Sequence, residues 1–177
     1  MYTHSSSFFQ ILLHTPSWVL ALLVGLCVLG LMQARTRRVA VWLALLLPAA
    51  MPILSLSGVV LYMGMWLPAL AVWVLGLSAV SILCLKSMNP ETVRYDAESR
   101  KLIIAGSWIP LLVILGIFFV RYAMGVARAM EFEIVRDRNV QLAVSFLLGA
   151  FSGFFLARGL LFWRTYAARR VEHASAS

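Results

Sequence analysis

The chain predicts an all-α fold, a polytopic transmembrane helical bundle of five spans, with a small cytoplasmic hairpin-like loop between the third span and the fourth. Three observations carry that expectation. Of 177 residues, 62% are hydrophobic and only 12% charged, about half the roughly 25% charged share of a soluble domain. A water-soluble globule of this size cannot keep so much apolar side chain off its surface. The apolar residues come in long runs, and a crossing takes about 20 residues. Finally, the fifteen Lys and Arg, against seven Asp and Glu, stand in short clusters beside those runs. That is how membrane topology is written, and it speaks against a nucleic-acid partner. One domain is expected at this length, placed at 1–170, with 171–177 a disordered tail.

Residues 1–14 hold no Lys or Arg, and Phe8, Phe9, Leu12 and Leu13 fall at helical spacing, so a short interfacial helix is expected there. Thr15 reads as a helix cap and Pro16 as the first helical position. The first span is about 18–33. It is not a secretory leader, because the basic cluster Arg35, Arg37 and Arg38 follows the apolar run where a leader would carry charge before it. Residues 39–85 contain no charge at all. Forty-seven residues are two crossings, with the break expected near 57–64, where Ser and Gly collect, giving spans of about 39–56 and 65–85. Pro48 and Pro52 sit inside the second span, and each frees a carbonyl one turn earlier.

The segment 86–105 is the polar one. Thr92–Asp96 and Lys101–Ala105 are β-prone runs around a turn at 97–100, read as a small hairpin that must lean on the bundle. The fourth span is about 107–127 and the fifth about 140–163, separated by a mixed-charge loop. With the N-terminus outside, ten Lys and Arg fall on the inner side and three on the outer, which sets the C-terminus in the cytoplasm. The expected partner on that side is a bilayer with anionic headgroups.

Two arginines lie inside spans. Arg121, thirteen residues past Trp108, falls about 20 Å into a core of about 30 Å. A charge there costs ~2.5–3.5 kcal/mol on insertion scales, and no span carries an Asp or Glu to pair with it. It has three possible partners: outer-leaflet phosphates reached by snorkelling, the carbonyls freed by Pro48 and Pro52, or an anionic ligand. Gly125 and Arg128 lie four and seven residues on, on the same face, so Arg121, Gly125 and Arg128 form a candidate anion or lipid-headgroup contact. Arg158, five residues before Trp163, reads as a snorkelling residue. Ser145, Gly149, Gly153 and Ala157, each four apart, form a small-residue stripe for helix packing. Packing within the bundle is preferred to homodimerisation, and a membrane-protein partner or a second copy is the further partner expected along this stripe.

No catalytic, cofactor-binding or metal set is apparent. Cys27 and Cys84 sit in separate apolar runs, His14 has no second intramembrane histidine, and Asp96 and Glu98 are two apart on a charged loop.

The segments HTPSW at 14–18, QARTRR at 33–38, RYD at 94–96, GSWIP at 106–110 and FFVRY at 118–122 occur in an order that resembles a family of uncharacterised bacterial inner-membrane proteins of similar length. The resemblance implies a multi-pass cytoplasmic-membrane protein with no assigned reaction. The segment from RYD to GSW followed by a span is also similar to CcdC-like membrane proteins linked to cytochrome c maturation. The thiol motifs of that chemistry do not occur in this chain. The expected function is therefore that of a non-catalytic packing or accessory protein, or a lipid-interacting one. The alternative is a small transporter-like protein that attracts an anion with Arg121.

Overall fold

The computed structural model describes residues 17–89, 92–96, 99 and 101–175. The expected helix within 1–14, the Thr15–Pro16 helix start and most of the 97–100 turn lie outside them. Among the described residues, five helices make up most of the chain. They are α1 (Ser17–Ala34), α2 (Val41–Met63), α3 (Leu67–Ser87), α4 (Ile109–Ala129) and α5 (Arg138–Ser175). Three four-residue strands complete it: β1 (Arg37–Ala40), β2 (Val93–Asp96) and β3 (Lys101–Ile104). A 3₁₀ turn at Glu133–Arg136 joins α4 to α5.

Among the described residues, four helices are long and apolar enough to cross a membrane: α2, α3, α4 and the Arg138–Ala168 part of α5. The apolar part of α1, Val19–Ala34, is shorter. It packs on α4, where the Leu111 side chain fills the space beside Gly30. Large apolar side chains such as Val24, Ile53, Leu61, Leu75 and Leu83 point outward, each more than 60% exposed. That is the pattern of a protein whose solvent is lipid, and the chain is membrane-spanning.

The break after the second span falls at the far edge of the 57–64 window in which it is expected. Helix α2 runs straight through Ser57 and Gly58 and stops at Gly64. The terminator is conformational, because Gly64 has φ +69°, a left-handed position that suits glycine, and its N–H closes on the Val60 carbonyl at 2.9 Å. The fifth helix also continues past Trp163, to Ser175.

The hairpin has a third strand. The sheet order is β1–β3–β2, antiparallel throughout, with Arg37 and Val93 both opposite Ile104. Residues 37–40, read from sequence as a charge cluster running into a span, form the extra edge. The reason is the alternation of side chains across a strand: Val39, Val93, Leu102 and Ile104 share one face and are buried with Ala44 and Phe162. The sheet thereby leans on α2 and α5, as so small a sheet must. Tyr95 meets Tyr166 of α5 edge-to-face at 5.4 Å. Connectivity puts the end of α1, the start of α2, the end of α3 and the start of α4 at this sheet end of the bundle. The Gly64–Trp66 turn and the α4–α5 loop form the far end.

Candidate functional site

Helix α4 buries Ile114, Ile117, Phe118 and Met124, a stripe at three- and four-residue spacing that also contains Arg121, Gly125 and Arg128. The two arginines therefore face α2 rather than open lipid. Arg121 donates from Nη1 to the Leu54 carbonyl and to Ser57 Oγ at 3.2 Å. The glycine at 58 leaves room for the guanidinium, since a Cβ there would lie 3.1 Å from Nη1. One turn further on, the Tyr62 hydroxyl donates to the Arg121 carbonyl at 3.3 Å and occupies the space over Gly125. Arg128 Nη1 donates to the carbonyls of Tyr62 at 3.2 Å and Leu61 at 3.4 Å. Those carbonyls belong to the last turn of α2, which has no intrahelical partner for them, and a cation there also suits the helix dipole.

The bonded carbonyl is not one freed by proline. Depth explains why. Arg121 is twelve residues from the start of α4 and Leu54 thirteen from the start of α2, both about 18–20 Å from the sheet end. The carbonyl freed by Pro52 is that of Pro48, about 9 Å nearer the sheet.

The small-residue stripe on α5 lies against α3. A Cβ at Gly149 would run into the Trp73 carbonyl oxygen, and one at Gly153 into that of Leu77. From the other side, Gly76 admits the Phe146 carbonyl. Ser145 and Ala157 are fully buried, and Ser145 Oγ lies 3.1 Å from Met63 Sδ. Ser81 Oγ donates to the Gly153 carbonyl at 3.0 Å. Trp73, buried in the bundle, donates from Nε1 to Ser55 Oγ at 3.1 Å, and Ser55 donates to the Leu148 carbonyl at 2.9 Å.

Arg158 does not snorkel. It lies on the buried face of α5 with Phe155 and Phe162 and is 8% exposed. It lines a cavity of about 270 Å³ between α5 and the sheet. Phe154, Leu161 and Phe162 form the helical wall, Val93 and Ile104 the sheet wall, and Met88, Asn89, Thr92, Ala105, Gly106, Ser107 and Ile109 the rim. Asn89, Thr92, Ala105 and Gly106 are exposed, so the cavity reaches the surface. The guanidinium stands over the Phe162 ring at 5.4 Å and has no hydrogen bond or ion pair among the described residues. A cation–π contact contributes ~0.5–2 kcal/mol, whereas an uncompensated buried charge costs several. Arg37 of β1, half-buried, is close enough to repel it, and burial pulls the Arg37 guanidinium below its ordinary pKa. Nearby, Gln33, whose backbone carbonyl accepts from Ser107 N–H at 3.0 Å, is 4% exposed with no partner for Nε2 among the described residues. The sequence did carry a signal for Arg158: it continues the spacing of Leu148 and Phe155, and a core-facing position is not a snorkelling one.

Among the described residues no three His, Cys, Asp or Glu side chains cluster as metal ligands, and both cysteines are free thiols. No curated protein and no solved structure matches the chain. A family of unknown function, DUF6622, matches residues 3–172. With nearly its whole length covered by that match, the chain belongs to the DUF6622 family.

Proposed function

We propose that this chain is a non-catalytic accessory protein of the bacterial cytoplasmic membrane that engages anionic lipid through its sheet end, with the N-terminus outside and the C-terminus in the cytoplasm. The observation that carries this reading is the charge at that end. Arg35, Arg38, Lys86, Arg94, Lys101 and Arg164 are all exposed there, while the far end mixes Arg128, Arg136 and Arg138 with Glu131, Glu133 and Asp137. Each basic residue near an anionic leaflet contributes about 1 kcal/mol, and the cation-rich side of a membrane protein is the cytoplasmic one. Trp42, Trp108 and Trp163 are exposed around the same end, as expected for side chains at headgroup level.

The transporter-like alternative loses its main support, because Arg121 is engaged with Leu54 and Ser57. A partner or second copy docking along Gly149 and Gly153 would have to displace α3. Single-cysteine labelling of both termini in intact cells, together with mass spectrometry of co-purified lipid, tests the proposal. It expects the N-terminus labelled from outside, the C-terminus protected, and phosphatidylglycerol or cardiolipin enriched over zwitterionic lipid. Labelling of both ends from one side, or lipid in bulk proportions, would contradict it.

A further inference from the structure

We propose that the cavity at the sheet end is a binding site for the phosphate group of an anionic ligand, anchored by Arg158. The proposal deepens the lipid reading above by giving the ligand a specific seat, and it can fail separately. Arg158 is more than nine-tenths buried and lines a space of about 270 Å³. Its guanidinium offers five N–H donors, none of which meets an acceptor among the described residues. A buried cation in apolar surroundings calls for an anion, and the second guanidinium nearby, Arg37, raises the positive charge rather than neutralising it. The planar fork of arginine fits phosphate oxygens two at a time. Ser107 Oγ at the rim accepts from Ile109 N–H at 3.3 Å and keeps its own hydrogen to give. The walls formed by Phe154 and Phe162 suit the less polar part of the ligand. Basic pockets between membrane helices on the cytoplasmic side are a recognised seat for phospholipid headgroups. A small soluble phosphate offers the same chemistry.

The test uses the full chain purified in uncharged detergent, with two probes: phosphatidylglycerol followed by native mass spectrometry, and inorganic phosphate followed by calorimetry. Three variants are compared with the unaltered chain. Arg158→Gln removes the anchor. Leu161→Glu, three residues on along α5, puts a carboxylate into the same cavity. The triple variant Arg38→Gln/Arg94→Gln/Lys101→Gln weakens only the exposed sheet face. Binding of either probe that falls at least tenfold in Arg158→Gln and Leu161→Glu but less than threefold in the triple variant supports the proposal. The probe that binds then names the source, lipid or soluble phosphate. Failure of the unaltered chain to bind either probe overturns it, as does unchanged binding in Arg158→Gln. If that variant does not fold, unchanged binding in Leu161→Glu is decisive in its place. Loss in the triple variant alone overturns the cavity site and leaves the sheet-face reading standing.

Discussion

Two arginines sit inside apolar helices of this protein, and their surroundings differ in kind. Arg121 belongs to a filled region. A glycine on α2 makes room for it, and a carbonyl and a hydroxyl accept its protons. A turn further on, Tyr62 and Arg128 continue the same ladder. Arg158 belongs to an unfilled one, with space in front of it, an aromatic ring under it and no acceptor among the described residues. The contrast separates two uses of a membrane cation. Where neighbouring backbone satisfies the charge, the arginine ties helices together. Where neighbouring residues leave it unsatisfied, the remaining interaction is available to a ligand.

The sharpest way to break the comparison is to overfill the packed region. Gly153→Leu drives a side chain into the α3 backbone at Leu77 and Ser81. It should destabilise the folded chain by about 3 kcal/mol, the upper end of ordinary overpacking, read as loss of the monodisperse peak on gel filtration. A well-folded Gly153→Leu protein would mean that the α3–α5 seam is looser than described. Next in size, Arg121→Met removes charge-assisted hydrogen bonds worth about 2 kcal/mol and should lower the melting temperature in uncharged detergent without altering lipid retention. An accompanying loss of anionic lipid would move Arg121 from the structural class to the binding class. The smallest effect is expected for Ser55→Ala. It leaves Trp73 Nε1 without its acceptor, while the Leu148 carbonyl keeps the Ser152 hydroxyl at 2.8 Å, for about 1 kcal/mol, checked by thermal unfolding followed through tryptophan emission.

Most of the helical architecture was legible because it rests on the length of apolar runs, a local property. Five helices are present among the described residues, the number that those runs predict. The misses are all long-range. Arg37–Ala40 gives no strand signal of its own, since four residues that begin with two arginines become a strand only when β3 is alongside. The α2–α3 break is expected within 57–64, and Ser57 and Gly58 in that window serve helix packing, the glycine by admitting Arg121. Gly64 alone needs its left-handed turn. Which carbonyl receives Arg121 depends on the relative depth of two helices far apart in sequence. By sequence Arg158 stands near a helix end, because Trp163 reads as an interface residue. Helix α5 in fact continues to Ser175, and the cover over Arg158 is assembled from the end of α3, the sheet and the start of α4. The spacing that places both arginines on core faces was present in the sequence, but it indicates only burial. It cannot distinguish a satisfied cation from an unsatisfied one.

The distinction between the two arginines is tested most directly by the melting temperature of Arg158→Met in uncharged detergent, measured with and without phosphatidylglycerol beside the unaltered chain. Replacing an uncompensated buried cation by an apolar side chain of similar length should leave the lipid-free protein as stable as the unaltered chain, or stabilise it by ~1–4 kcal/mol. Added lipid should then raise the melting temperature of the unaltered chain and do much less for the variant. A variant that melts well below the unaltered chain without lipid, and gains as much from its addition, would contradict the account.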